Sequence, residues 1–450
     1  MINGINDREL ALGILLDIEN GEHSDIAVRE TLSKHQFLPK QERAFITRLV
    51  EGTLEYQLQL DYIIDFYSNI SVDKMKLPIR VILRSAVYQI FYMDSVPDSA
   101  AVNEAVRLAQ KKGFFNLKSF VNGVLRSIVR EKDKVTWPLR EMDPARHLSV
   151  RYSMPEELVK EWIEAYGEEK TETMLAAFLK EKPVTVRCRT YPWDPALVRK
   201  SLEDQGVRVE QGPYLPYALR ISGYDHLRTL DAFVKGKIQV QDVSSMLVAE
   251  AAAPEKGSYV IDVCAAPGGK SLHIADKMEG TGMVEARDVS EYKKGLIEEN
   301  IARLNSINVQ AKVRDATVFD AESECRADIV LADVPCSGYG VIGHKPEIKY
   351  RRSAAGQEEL VILQRSILNT AAEYVKSRGV LIYSTCTISR AENEENMMWF
   401  LNSHPFRLES LDPYLPEELH CESTGLGYLQ MLPGIHDSDG FFIARFRRNF

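Results

Sequence analysis

Along the first 135 residues, apolar positions recur with the spacing of helices. Leu10, Ile14 and Ile18 fall four apart. Behind Leu77-Pro78, where Pro suits a first helical position, Ile79, Ile82, Leu83, Ala86 and Ile90 make one buried stripe. A further helix is predicted from Val96-Pro97-Asp98 through Val102, Val106 and Ala109 to Gly113, and another over Phe120, Val124, Leu125 and Ile128. Trp137 to Pro155, with Pro138, Pro144 and Pro155, reads as a linker. Residues 156–180 read as helical. From Pro183 the period changes: strands are predicted at Val184–Cys188, Val207–Glu210 and Ala218–Ser222, with a helix over 195–205, a small α+β unit.

Beyond about residue 240, short continuous apolar runs alternate with helical stretches. The strands are Tyr259–Val263, Met283–Ala286, Val309–Val313, Ile329–Ala332, Val380–Tyr383 and Phe441–Phe446; helices fit at 269–278, 290–304, 356–377 and 391–402. Apolar strands separated by helices predict a parallel sheet covered on both faces, with the last strand, after a long excursion, antiparallel. The fold expected is a helical bundle over 1–140, a small α+β domain over 141–235 and an α/β Rossmann-like domain over 236–450.

Composition refines this outline. Hydrophobic residues are 45% and charged residues 27% of 450, typical of a globular chain. The net charge of −9 argues against coating nucleic acid by charge alone, yet averages hide local faces. Residues 181–240 hold ten Lys/Arg against seven Asp/Glu, a surplus of +3 that fits either an RNA-facing surface or a solvated face. No run reaches the roughly 18 apolar residues of a membrane span. Asp7, Glu9 and Asp17 interrupt the N-terminal apolar pattern, against a signal peptide, so a reducing cytoplasm is the expected compartment and a monomer the default state. The six cysteines, Cys188, Cys264, Cys325, Cys336, Cys386 and Cys421, contain no C-x-x-C pair, which argues against structural zinc and against a disulfide scaffold.

The first strand of the C-terminal region runs into Asp262-Val263-Cys264-Ala265-Ala266-Pro267-Gly268-Gly269-Lys270 and then a helix. Small residues let a ligand approach the backbone, and a helix N-terminus offers free N–H donors. A Walker loop is excluded because Cys264 stands where its first Gly belongs, and G-x-G-x-x-G spacing is absent. A nucleoside with a short carboxylate-bearing tail fits, which suits S-adenosylmethionine. Asp288, ending the second strand, is placed to hold its ribose hydroxyls. Asp315, after the third strand, is placed to meet adenine or ribose, or else caps a helix.

Five segments then carry a resemblance. Gln241-Asp242-Val243-Ser244-Ser245, the Asp262–Lys270 turn, Asp333-Val334-Pro335-Cys336-Ser337, Ser384-Thr385-Cys386-Thr387 and Asp439-Gly440-Phe441-Phe442 resemble, in order, the RNA cytosine-C5 methyltransferases of the NOL/NOP/Sun family. Val96-Pro97-Asp98 and Phe120-Val121-Asn122-Gly123-Val124-Leu125 are similar to the NusB family of antitermination factors. The two together cover nearly the whole chain. The resemblance implies an all-α NusB-like bundle, a small α+β RNA-binding domain and a class I methyltransferase domain. It further implies S-adenosyl-L-methionine bound by residues 264–270 (Cys264, Ala265, Ala266, Pro267, Gly268, Gly269, Lys270) with Asp288, Asp315 and Asp333, and 16S ribosomal RNA as partner, modified at cytosine 967.

The chemistry explains the two thiols. Carbon 5 of cytosine is a poor nucleophile; a thiolate added to carbon 6 makes the ring an enamine, dividing one hard step into easier ones. A second group must then remove the carbon-5 proton. Cys336 and Cys386 each follow a strand whose carboxyl end lies at the ligand edge of such a sheet; by resemblance Cys386 is the nucleophile and Cys336 assists release. A lone cysteine at a strand end is ordinarily a small packing residue, and the other four are read so. Asp333 can accept from the cytosine amine, a bond uracil cannot offer. An ordinary thiol is only slightly ionised at neutral pH; which group activates Cys386 stays open, with Lys270 the nearest cationic candidate. The target base must leave its stack. The run Gly343-His344-Lys345-Pro346-Glu347-Ile348-Lys349-Tyr350-Arg351-Arg352 reads either as phosphate contact with base stacking or as a solvated charge run. Two other functions remain open: a methyltransferase acting on nitrogen, which needs no thiol, and a non-catalytic RNA- or protein-binding module.

Overall fold

The computed structural model describes residues 6–180, 183–351 and 353–450. The chain divides into two units, one of residues 1–180 with 342–351 and one of 181–341 with 352–450.

The first unit is helical: α1 (Asp7–Glu19), α2 (Ser24–Lys34), α3 (Lys40–Glu55), α4 (Gln57–Tyr67), α5 (Leu77–Tyr92), α6 (Asp98–Lys111), α7 (Lys118–Glu131), α8 (Pro144–Arg151), α9 (Glu156–Tyr166) and α10 (Glu168–Phe178). The predicted stripes are its core. Leu12, Ile14, Ile82, Leu83, Ala86, Leu125 and Ile128 are buried together, and α5 is apolar on nearly every side because it lies at the centre. Two expectations are corrected. The proline-rich stretch holds a helix, α8, because Pro144 occupies its first turn, where the missing N–H costs nothing, and Asp143 caps it through Arg146 N at 2.9 Å. The 156–180 helix is two helices, parted at Gly167, whose φ of +83° suits glycine.

Residues 342–351 belong to this helical unit. Lys349 Nζ donates to Glu55 O at 2.7 Å and Tyr350 Oη to Leu54 O at 2.8 Å, satisfying carbonyls that the end of α3 leaves open. Glu347 accepts from Ser24 N and Oγ at 3.1 and 2.8 Å, at the start of α2. This corrects both readings of the basic run at its centre: Glu347 and Lys349 are buried, and the Tyr350 hydroxyl is committed to α3. Arg352 lies outside the described residues.

The second unit holds two sheets. In the smaller, β1 (Val184–Cys188), β2 (Arg208–Gln211), β3 (Ala218–Ser222) and β4 (Ile238–Val240) pair antiparallel in the order β2-β3-β1-β4. The larger contains β5 (Tyr259–Asp262), β6 (Met283–Asp288), β7 (Val309–Val313), β8 (Ala327–Asp333), β9 (Val375–Thr385), β10 (Phe406–Leu408), β11 (Tyr428–Met431) and β12 (Phe441–Arg448). Its order is β10-β12-β9-β8-β5-β6-β7, with β11 added against β12. Strands β5 to β9 run parallel and β12 runs antiparallel to β9. The strand order reverses between β5 and its neighbours β6 and β8, the switch point at which such sheets bind ligands. The carboxyl ends of β5, β6, β8 and β9 place Cys264, Asp288, Asp333 and Cys386 along one edge.

Among the described residues no helix is long and apolar enough to cross a membrane.

Candidate active site

The turn after β5 is held by backbone contacts. Ala265 N donates to Arg287 O at 2.8 Å and Ala266 N to Asp288 Oδ2 at 2.9 Å, which ties the turn to the end of β6. Gly268 has φ +101°, and helix Gly269–Lys277 starts behind it without a side-chain cap. Its first N–H groups are therefore available to an anionic ligand. Asp288 also accepts from Val289 N at 2.8 Å and pairs with Lys293 Nζ at 3.0 Å. Beneath the turn, Asp262 Oδ2 accepts from Ser271 Oγ at 2.6 Å, while Oδ1 is buried without a partner. Burial pushes the Asp262 carboxyl up to about 7. An orphaned buried acceptor beside an uncapped helix start fits the polar groups of a nucleoside cofactor with an ammonium-bearing tail. Cys264, between β5 and this turn, is a neutral thiol: burial and the nearby Asp262 raise it well above its ordinary value.

The two motif cysteines converge. Cys336 Sγ and Cys386 Sγ lie 3.2 Å apart. With the Cys336 thiol donating, that bond holds Cys386 below its ordinary value and pushes Cys336 well above it. The pair therefore biases the shared proton toward Cys336 and Cys386 toward its thiolate form. Lys270 adds to the bias. Its Nζ donates to Asp333 Oδ2 at 2.8 Å and lies 5.3 Å from the Phe441 ring centre. Burial opposes the Lys270 charge, yet Asp333 in contact with it, and Cys386 nearby, keep the ammonium above its usual value. Asp333 Oδ1 accepts from Ser384 Oγ at 2.8 Å, so each carboxylate oxygen keeps a lone pair for a base.

Asp315 is exposed; Oδ1 accepts from Thr317 N at 2.9 Å and Oγ1 at 2.7 Å, bonds that hold its carboxyl below the usual range. Its contacts are those of a turn. The remaining cysteines keep the packing or surface reading: Cys188 is buried, and burial raises it to about 12, whereas Cys325 and Cys421 are exposed.

Several residues of the site were missed by sequence reasoning. Gly340 N donates to Cys386 O, and Gly440 N to Gly340 O, each at 3.0 Å. A Cβ on Gly340 would fall inside the Gly440 carbonyl and within 2.8 Å of Cys386 O. The Gly-Tyr-Gly segment after Cys336 is therefore the close-packed floor of the Cys386 loop. Asp242 accepts from Ser244 N at 2.9 Å and Asp439 N at 3.4 Å, joining the first and last motifs. Glu392, fully buried, accepts from Ser337 N and Oγ at 2.9 and 2.6 Å. Its only sequence signal was an acidic residue in the first turn of the helix predicted over 391–402, the ordinary pattern of a helix start.

The sheet order, the ligand turn at the switch point and the thiol pair define an α/β methyltransferase domain. Residues 249–447 match the family 16S rRNA methyltransferase RsmB/F, residues 154–225 the ferredoxin-like domain of RsmF/B-like methyltransferases, and residues 5–130 the NusB family. The chain belongs to the RsmB family of ribosomal RNA small subunit methyltransferases. It is 38% identical to the probable ribosomal RNA small subunit methyltransferase B of Bacillus subtilis, with 98% of each chain covered. It is 33% identical to the protein of the same description from Synechocystis, over 99% of this chain and 100% of the other. The solved structure of PH0851 superimposes with a TM-score of 0.84 at 27% identity, covering 99% of each chain.

Proposed function

We propose that the protein methylates carbon 5 of a cytosine in 16S ribosomal RNA, by family likeness cytosine 967, through a covalent bond between Cys386 and carbon 6. The observation that carries this reading is the 3.2 Å thiol pair, which sets Cys386, biased toward its thiolate, beside a second thiol at the ligand edge of the sheet. A nitrogen methyltransferase has no use for that pair.

S-adenosylmethionine supplies an electrophilic methyl group when bound. Residues 264–270, Asp288 and the partnerless Oδ1 of Asp262 are the groups that would hold it, with the exposed Asp315 at its outer side. The protein's own part begins with the base. Asp333 accepts a hydrogen bond from the N4 amine, which uracil lacks, and Lys270 fixes the carboxylate for that task. Cys386 thiolate forms the S–C6 bond, and the ring's electron pair moves to carbon 5, which takes the methyl. Cys336, once its own proton has passed to solvent, takes the carbon-5 proton. The returning electron pair breaks the S–C6 bond and frees Cys386 as a thiolate. Because Cys336 is held high, this last step quickens as pH rises.

Transfer of labelled methyl to 16S ribosomal RNA fragments tests this. Cys386→Ala should abolish transfer. Cys336→Ala should leave protein attached to RNA in a denaturing gel. Absence of that adduct from a folded Cys336→Ala protein that still binds RNA overturns the assigned roles. Mapping the methylated base tests the nucleotide.

A further inference from the structure

Glu392 is the centre of a buried hydrogen-bond group behind the two thiols. Besides Ser337 N and Oγ, its carboxylate accepts from Gln364 Nε2 at 2.9 Å, and Gln364 also donates to Pro335 O at 3.0 Å. The residues on both sides of Cys336 are therefore fastened to one carboxylate, directly at Ser337 and through Gln364 at Pro335. The second cysteine loop joins through Thr387 Oγ1, 2.7 Å from Ser337 Oγ. Ser337 Oγ has one proton, which it donates to Glu392 Oε1 at 2.6 Å, so Thr387 is the donor to Ser337. The main-chain carbonyl of Glu392 accepts from Tyr383 Oη, on β9. A carboxyl group that accepts three bonds and donates none fits its ionised form. It is wholly buried, and each of the three donors is uncharged.

A buried carboxylate among neutral donors is costly, and a glutamine or serine could tie the loops without that cost. Charge is what the carboxylate adds. The thiols have opposite needs under the proposed chemistry: Cys386 ionised at rest, Cys336 protonated until release. The cation of Lys270 reaches Cys386, whereas Glu392 reaches Cys336. We infer that Glu392 is a positioning residue for the known reaction, which orients the Cys336 loop and uses its buried negative charge to keep the proton on Cys336, so that Cys386 is the nucleophile. The division of labour between two chemically identical side chains is then set by unlike charges on either side of them. This inference rests on the reading of Cys386 and Cys336 above.

The charged and titratable groups facing Cys336 are Cys386, Glu392 and Tyr383; Asp333 and Lys270 face Cys386, and Arg365 faces Tyr383. Two coupled thiols titrate as a pair, so the test isolates one. In a Cys386→Ala background, the rate of Cys336 alkylation by iodoacetamide is followed against pH by peptide mass spectrometry, with and without Glu392→Gln. The amide keeps the shape and an acceptor oxygen but removes the charge. The expected result is an alkylation midpoint at least one pH unit lower with Glu392→Gln, about tenfold faster reaction below the midpoint, and an unchanged circular dichroism spectrum. Overlapping profiles from two folded proteins overturn the inference. Should Glu392→Gln unfold the chain, Gln364→Leu, which frees one bond but leaves the charge, serves as the second variant: a profile that stays within a few tenths of a unit supports a charge effect, and a shift as large as the unit expected of Glu392→Gln shows packing instead and overturns it. The readout needs no methyl transfer, so it fails independently of the adduct experiment, which alone decides the function of the thiols.

Discussion

At the scale of residues, the site depends on two close approaches that allow little change. Lys270 touches Asp333 at 2.8 Å and biases Cys386 toward its thiolate. Lys270→Met removes both effects. Methyl transfer should fall by about 10²–10³, the usual loss when one preorganised polar group is removed. Since the cation lowers Cys386, its removal should move the onset of Cys386 alkylation to higher pH; a fall in transfer with an unmoved profile would assign Lys270 to Asp333 alone. Gly340 and Gly440 make the second approach. Gly340→Ala has nowhere to put its methyl, because the nearest atoms are backbone of Gly440 and Cys386. Thermal unfolding should show a loss of about 1–3 kcal/mol, typical of overpacking, and the Cys386 loop should lose activity beyond that. Cys336, Cys386 and Asp333 stood out as candidates because each sits within a motif, whereas Asp288 and Asp315 were expected from strand ends alone. The contacts of Glu392, Gly340 and, within its motif, Asp242 were not legible, because their partners lie 55, 46 and about 200 positions away in sequence.

At the scale of elements, strands of five residues were read at their observed spans and the shortest strands were missed. Val309–Val313 and Val184–Cys188 match the expected spans. The helix expected over 356–377 ends at Tyr374, and β9 begins at Val375. Tyr374 and Val375 carry the apolar period onward, and only pairing with β8 decides between helix and strand. The strands β4 and β10, three residues each, and β11, of four, give too short a period to detect. A contact between elements was equally hidden. Arg187, on β1, and Arg189, just beyond its end, grip Asp276, on the helix that follows the ligand turn, at 2.6 and 2.7 Å, all three almost fully buried. The local surplus of basic residues is thus partly spent on an internal ion triad. Asp276→Ala leaves two buried guanidinium groups without their anion and should cost roughly 3–5 kcal/mol by urea unfolding, whereas replacing an exposed pair such as Lys235 and Asp231 should change stability far less. Equal effects would show that the triad is solvated.

At the scale of the whole molecule, the two units are not two consecutive pieces of chain. Six residues beyond Cys336, at Ile342, the chain joins the helical unit, and it returns after Arg351. A fragment of residues 1–180 therefore lacks part of its own unit: the Lys349 and Tyr350 donors at the end of α3 and the Glu347 acceptor at the start of α2. Lys349 gives this a pH signature. Burial lowers its ammonium to about 7, against an ordinary value of 10.5. A base with a depressed folded value binds fewer protons folded than unfolded between those limits, so it adds stability as pH rises from about 7 toward 10.5. Below about 7 both states are protonated, and the contribution is flat. Lys349→Met should remove that slope without a buried charge to replace it, so the stability difference between wild type and variant, measured by urea unfolding in the full chain, should shift in favour of wild type as pH rises from 7 to 9. A difference independent of pH would mean that the amine stays hydrated. The same argument sets the outcome for the isolated fragment. Lacking the segment, residues 1–180 should unfold at lower temperature than the helical unit does within the full chain, with amide exchange fastest at the end of α3, and the difference should narrow when Lys349→Met and Tyr350→Phe are combined in the full chain.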